Sequence, residues 1–179
     1  MTAKEVIDSY ITNTRLYRHR NKIFTNVYLE QFEADILEIT SSNYAYEYEV
    51  KLSKADFKND AKKSCTTANG ELLAKHELLQ SGERVNYFSF IVPEGMIGIE
   101  DVPAWAGLVY FKEKVARNGI RYCTFKHLKP RYLLAKEHFS MDRLTQLFES
   151  IYLKYYTLRA KVKELEKEFK YERNPNKEA

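Results

Sequence analysis

The chain has 179 residues, 44% of them hydrophobic and 30% charged, which excludes a disordered or fibrous protein and supplies one folded core. No apolar run approaches the roughly 20 residues of a membrane helix, residues 1–20 lack a signal-peptide core, and Cys65 and Cys123 are too few for a disulfide framework. The expected setting is a reducing cytoplasm, with no membrane partner.

The net charge of +4 is unevenly spread. Residues 1–50 hold five basic and eight acidic residues, a net of −3, whereas residues 111–140 hold eight basic and two acidic residues, a net of +6. An acidic site beside a phosphate-binding surface would be built this way, and so would an uneven solvated surface.

In chain order, residues 2–13 are predicted as a short helix. Thr2 caps it, Glu5 stands where a capping box needs it, and Val6, Tyr10 and Ile11 make an apolar stripe. Arg15 to Lys22 is a basic patch of low specificity. Phe32–Thr40 and Tyr44–Leu52 read as two strands joined by Ser41-Ser42-Asn43, with Asn43 suited to the left-handed last position of a hairpin loop. A helix is expected from its cap Ser53 through Lys63, with Lys54, Lys58 and Lys62 on one face, then an interruption at 66–70. Glu71–Gln80 reads as a second helix closed by Gly82. The apolar run Val85–Val92 predicts a buried central strand, and Gly107–Lys112 and Ile120–Lys126 predict two more, split by a turn at Asn118-Gly119. From Met141 to Tyr171 a long helix carries a heptad seam: Leu144, Phe148, Ile151, Tyr155, Leu158, Val162, Leu165 and Phe169. Such a stripe packs on its own domain or pairs two copies, so a homodimer through this helix is one expectation. The expected organisation is a core over residues 1–140, the helix over 141–173 and a polar tail over 174–179.

The chemistry lies in the hairpin. A three-residue loop makes paired numbers sum to 84, so Asp35 is expected opposite Glu49 and Glu33 opposite Lys51, all on one face, with opposed pairs about 5 Å apart. Carboxylates held so close repel unless a cation neutralises them, and two hard oxygen ligands completed by water and phosphate suit Mg²⁺. A neighbouring lysine can orient or deprotonate a water and stabilise charge on a phosphate. The competing reading is an ordinary solvated hairpin with alternating Glu and Lys. His76, after Lys75, is more often a surface residue than a reactive one. His19, His127 and His138 have no metal-like spacing with the cysteines. Trp105 reads as a core plug, and Tyr122 and Tyr132 as candidates for stacking on bases.

Glu33-Ala34-Asp35 followed after thirteen residues by Glu49-Val50-Lys51 resembles the signature of the PD-(D/E)XK nuclease superfamily. The stretches EADILEIT (33–40), YEYEVKLSKADFKND (46–60), KHELLQSGERVNYFSFIVPEG (75–95) and VPAWAGLVYF (102–111) more narrowly resemble small phage and bacterial proteins related to the MmcB-type DNA repair family. The resemblance covers roughly residues 30–135, and Ala34 stands where the nominal signature has Pro. It implies an α/β fold with a restriction-endonuclease-like mixed sheet flanked by helices, and Mg²⁺-dependent cleavage of DNA, with Mn²⁺ able to stand in. Asp35 and Glu49 would ligate the metal with the Val50 carbonyl, and Lys51 would be the catalytic lysine. Glu33 would shape the field or hold a metal-bound water. Glu5 is the candidate for an extra acidic residue from the first helix. Lys54, Lys58, Lys62, Lys75, His76, Lys126, Lys129 and Arg131 would face DNA. The alternative is a catalytically silent DNA- or protein-binding module on the same fold.

Overall fold

The structure is a computed structural model that describes residues 1–17, 20–29, 31–66 and 69–173. Parts of the basic patch at 15–22 and of the interruption at 66–70, and the whole tail at 174–179, lie outside the described residues. The chain divides into two units, residues 1–140 and residues 141–179.

The first unit is an α/β domain. Helix α1 (Ala3–Tyr17) opens on the capping box read from the sequence: the Glu5 amide donates to Thr2 Oγ1 (3.3 Å), and the Thr2 amide to Glu5 Oε2 (2.7 Å). Strands β1 (Lys22–Leu29), β2 (Phe32–Ile39), β3 (Ala45–Val50), β6 (Tyr87–Pro93), β7 (Gly107–Val115) and β8 (Arg121–Lys129) form a six-stranded mixed sheet in the order β1-β2-β3-β6-β7-β8. Its two central junctions, β3 with β6 and β6 with β7, are parallel, and the outer ones are antiparallel. Parallel neighbours need crossovers. The one from β3 to β6 carries helix α2 (Lys54–Asp60), a two-stranded ribbon of β4 (Ser64–Thr66) and β5 (Leu72–Ala74), and helix α3 (Lys75–Ser81).

Strand β1 is absent from the sequence reading. Its apolar residues do not alternate cleanly, and Asn26 interrupts it with a φ of 50°. Two further differences are local. Residues 71–74, predicted as the start of a helix, are taken by the ribbon, so α3 begins at Lys75; and β7 and β8 run longer than predicted, into an exposed ribbon end.

One sheet face packs under α1. There Val6, Ile7 and Tyr10 meet Ile36, Tyr48, Val50, Ile91, Val109, Phe111 and Cys123 in a buried hydrophobic cluster. Alternation along the strands sends Asp35, Glu47, Glu49, Phe88 and Phe90 to the other face, where α2, α3 and Trp105 lie. The second unit is helix α4 (Met141–Arg173). No helix among the described residues is long and apolar enough to cross a membrane.

Candidate active site

The hairpin forms in the predicted register. Ile36 pairs with Tyr48 and Ile39 with Ala45, and the loop closes through the Asn43 amide to the Thr40 carbonyl (3.0 Å), with Asn43 left-handed at φ 57°. The β2–β3 ladder ends at Ile36 and Tyr48. Beyond it, the Val50 amide donates to Asp35 Oδ2 (2.8 Å) instead of to a backbone carbonyl. The two expected pairs further out are therefore not ladder pairs. Asp35 is still held against β3 beside Glu49, whose charge acts on it. Glu33 is exposed, opposite Tyr28 of β1, because the strands have parted before they reach it.

Behind Asp35 lies a buried ionic network. Glu49 Oε2 takes Lys51 Nζ (3.0 Å) and Lys63 Nζ (3.5 Å), while Glu49 Oε1 takes Lys75 Nζ. Lys75, fully buried, also reaches Glu47 (3.3 Å). Arg84 grips Glu47 with two nitrogens (2.6 and 3.1 Å) and donates to the Leu29 and Phe32 carbonyls, tying the network to the β1–β2 turn. Asp60, at the end of α2, pairs with Lys51 (2.8 Å), Lys63 (3.0 Å) and His76 Nε2 (3.0 Å). Removing one member of such a cluster strands its buried partner, which typically costs about 3–5 kcal/mol.

The chain brings these groups together through the β4–β5 ribbon. It turns back so that the Lys75 amide donates to the Lys63 carbonyl (2.9 Å), setting the first turn of α3 against the end of α2. Trp105, half-buried, packs edge-on against His76 (5.3 Å) and tilted against Phe88 (5.7 Å), at the rim of this face.

The electrostatics separate the carboxylates. Burial raises the Asp35 carboxyl and Glu49 raises it further, so that it is pushed up to about 6; among the described residues no cationic side chain stands at ion-pair distance from it. Glu49 is also opposed by burial, but Lys75 and Lys51 outweigh that and hold it below the usual carboxylate range. Asp60 behaves alike: burial is overcome by the His76 hydrogen bond and by Lys75 and Lys51, which hold it well below that range. Burial works against the Lys51 and Lys75 ammonium ions, yet the facing carboxylates raise both above an ordinary lysine.

Asp35, Glu49 and Lys51 thus converge as the sequence reading expects, but the Lys51 ammonium is firmly protonated and unsuited to removing a proton from water. Asp35 and Glu49 are two carboxylates on one face; Glu49 is already met by Lys51, Lys63 and Lys75, whereas among the described residues no cationic side chain pairs with Asp35, so Asp35 is the carboxylate open to a hard cation completed by water and phosphate oxygens.

The remaining candidates divide. Lys54, Lys58 and Lys62 are exposed on or just after α2, and Lys126 is exposed on the site-facing side of β8, opposite Tyr110. Lys75 lies inside the network, because its stem crosses the core to reach Glu47 and Glu49. Lys129 donates to the Val102 and Pro103 carbonyls (2.9 and 2.7 Å), and Arg131 donates to Tyr48 Oη (2.6 Å) and lies over the Tyr46 ring (4.2 Å), on the α1 face. Glu5 caps α1 on that same far face and does not reach the site. Sequence reading missed Asp60, Lys63, Glu47 and Arg84. Asp60 carried a signal, lying three residues after Phe57 on the inward side of a helix; Arg84, in a loop, carried none.

No established family profile matches the chain, and no curated protein matches it. Among solved structures it is similar to the SPO1766 protein of unknown function from Silicibacter pomeroyi, at 14% identity and a TM-score of 0.54, over 100% of this chain and 96% of that one. At this identity the likeness concerns the fold alone.

Proposed function

We propose that this protein is a divalent-metal-dependent nuclease of the PD-(D/E)XK type that hydrolyses phosphodiester bonds in DNA. One observation carries the reading: Asp35 and Glu49 lie side by side on one face, and among the described residues no cationic side chain pairs with Asp35, while Lys51 stands beside them. Asp35 and Glu49 would hold Mg²⁺ or Mn²⁺, which when bound neutralises phosphate oxygens and lowers the pKa of a bound water. Lys51 donates to Glu49 and forms an ion pair with Asp60, and its ammonium charge would stabilise charge on the phosphoryl group. Its role is electrostatic, since the two carboxylates keep its proton in place. Lys54, Lys58, Lys62 and Lys126 would hold the DNA backbone through salt-sensitive contacts.

A silent binding module is favoured by one feature: both Glu49 oxygens already carry lysine partners. Supercoiled plasmid and short single- and double-stranded DNA, incubated with the protein in Mg²⁺ or Mn²⁺, separate the two. Metal-dependent cleavage that disappears in Asp35→Asn and in Lys51→Ala is expected. DNA binding without cleavage in either metal would overturn the enzyme and leave the binding module.

Helix α4 supports self-association in the same reading. Its seam repeats every seven residues, and Phe148, Tyr155, Leu158, Val162 and Leu165 are all more than half exposed. In a parallel pair, Lys161 flanks the seam five residues before Glu166, where opposite charges of two copies meet.

A further inference from the structure

Hydrolysis at this site needs a group that accepts a proton from the attacking water, and the network leaves few. Lys51 and Lys75 point their ammonium groups at Glu49, with Lys51 also on Asp60 and Lys75 on Glu47, and both Glu49 oxygens and the Asp60 carboxylate already meet lysines. Asp35 is engaged by the Val50 amide and is the carboxylate open to a cation. His76 is the remaining candidate at the edge of the network.

Its geometry suits the task. The ring is fixed by Asp60 Oδ2, 3.0 Å from Nε2, by the edge-on contact with Trp105 at 5.3 Å and by Phe90 at 6.3 Å. Its side chain is 19% exposed, so one edge can be reached from solvent. An ionised carboxylate only accepts, so Nε2 must carry the proton in the Asp60 contact, and a neutral ring then presents a bare lone pair at Nδ1. Among the described residues nothing hydrogen-bonds Nδ1. Asp60 also joins the ring to Lys51, since its other oxygen lies 2.8 Å from Lys51 Nζ. The charged group that meets the ring is therefore Asp60 from α2, which carries Lys51 and Lys63 on its other oxygen.

We propose that His76, oriented by Asp60, is the proton acceptor of the hydrolytic step. This rests on the phosphodiesterase reading above. As the water oxygen bonds to phosphorus, its proton passes to Nδ1. The phosphorus–oxygen ester bond breaks, and its electron pair leaves on the departing oxygen, which is protonated by solvent water. The imidazolium, stabilised by Asp60, returns its proton to solvent.

Cleavage of duplex DNA in Mg²⁺ or Mn²⁺ by wild type, His76→Ala and His76→Gln tests the step, with DNA affinity measured in parallel without metal. Both variants are expected to lose about a hundredfold or more in rate while binding DNA within about twofold of wild type. Imidazole in the buffer is expected to restore the alanine variant by about tenfold or more, because a small base fills the vacated position. His76→Gln keeps a donor for Asp60, so wild-type cleavage by it would overturn the proposal and reduce His76 to a holder of Asp60. Failure of imidazole to rescue the alanine variant would also overturn it. Long-range proton–nitrogen NMR of the metal-free protein gives a readout without turnover: the proton on Nε2 is expected, and a neutral ring protonated on Nδ1 overturns the assignment. A wild type that cleaves nothing in either metal brings down the nuclease reading itself, whereas an active wild type with an active glutamine variant brings down only the role of His76.

Discussion

Asp35 and Glu49 carry the same functional group on adjacent strands, and their surroundings push them apart. Glu49 has three ammonium ions around it; Asp35 has an amide and a neighbouring negative charge. The folded Asp35 carboxyl, at about 6, lies above its ordinary value of 3.8. Between those limits the folded chain holds a proton that the unfolded chain has released, so this group lowers stability as pH rises from about 4 to 6, and the loss persists above 6. Asp35→Asn is therefore expected to stabilise the protein at pH 7 by about 2 kcal/mol and to change little at pH 4, in urea denaturation at the two pH values. Mg²⁺ is expected to raise the melting temperature of wild type at pH 7 and not that of Asp35→Asn, because only the charged pair binds the cation. An equal shift in both would place the cation elsewhere.

At the scale of elements, α3 delivers Lys75 and His76, and both of its ends are fixed by backbone requirements. The ribbon before it sets the start, and Gly82 sets the stop in the left-handed region at φ 76°. A Cβ at Gly82 would lie 2.6 Å from the Leu134 carbonyl oxygen and 2.8 Å from Ala135 Cβ. Gly82→Ala is expected to cost about 2–3 kcal/mol through backbone strain and this clash, read as a lower urea midpoint with an unchanged slope. The hairpin was legible because its loop chemistry fixes a register, and register fixes which side chains share a face. The ribbon was not legible: three-residue strands are too short for alternation to register, and residues 71–80 continue a plausible helical pattern through them.

At the scale of the molecule, α4 stands as a unit of its own whose seam has period seven. Sedimentation of the full chain beside a version truncated before Lys161 checks the proposed pairing: the full chain is expected to sediment as a dimer and the truncated one as a monomer, and equal subunit numbers would dismiss it. The sequence by itself determined the α/β class, the hairpin with Asp35, Glu49 and Lys51 on one face, the central apolar strand and the long helix, because each depends on short-range periodicity or loop chemistry. Only the tertiary structure decided that β1 joins the sheet edge, that Glu33 lies exposed beyond the end of the β2–β3 ladder while Glu5 caps α1 on the other face, and that Asp60, Lys63, Lys75 and His76 close around Glu49 and Lys51. Those outcomes come from contacts between segments distant in sequence, where burial and ion pairing, rather than local pattern, select the partner.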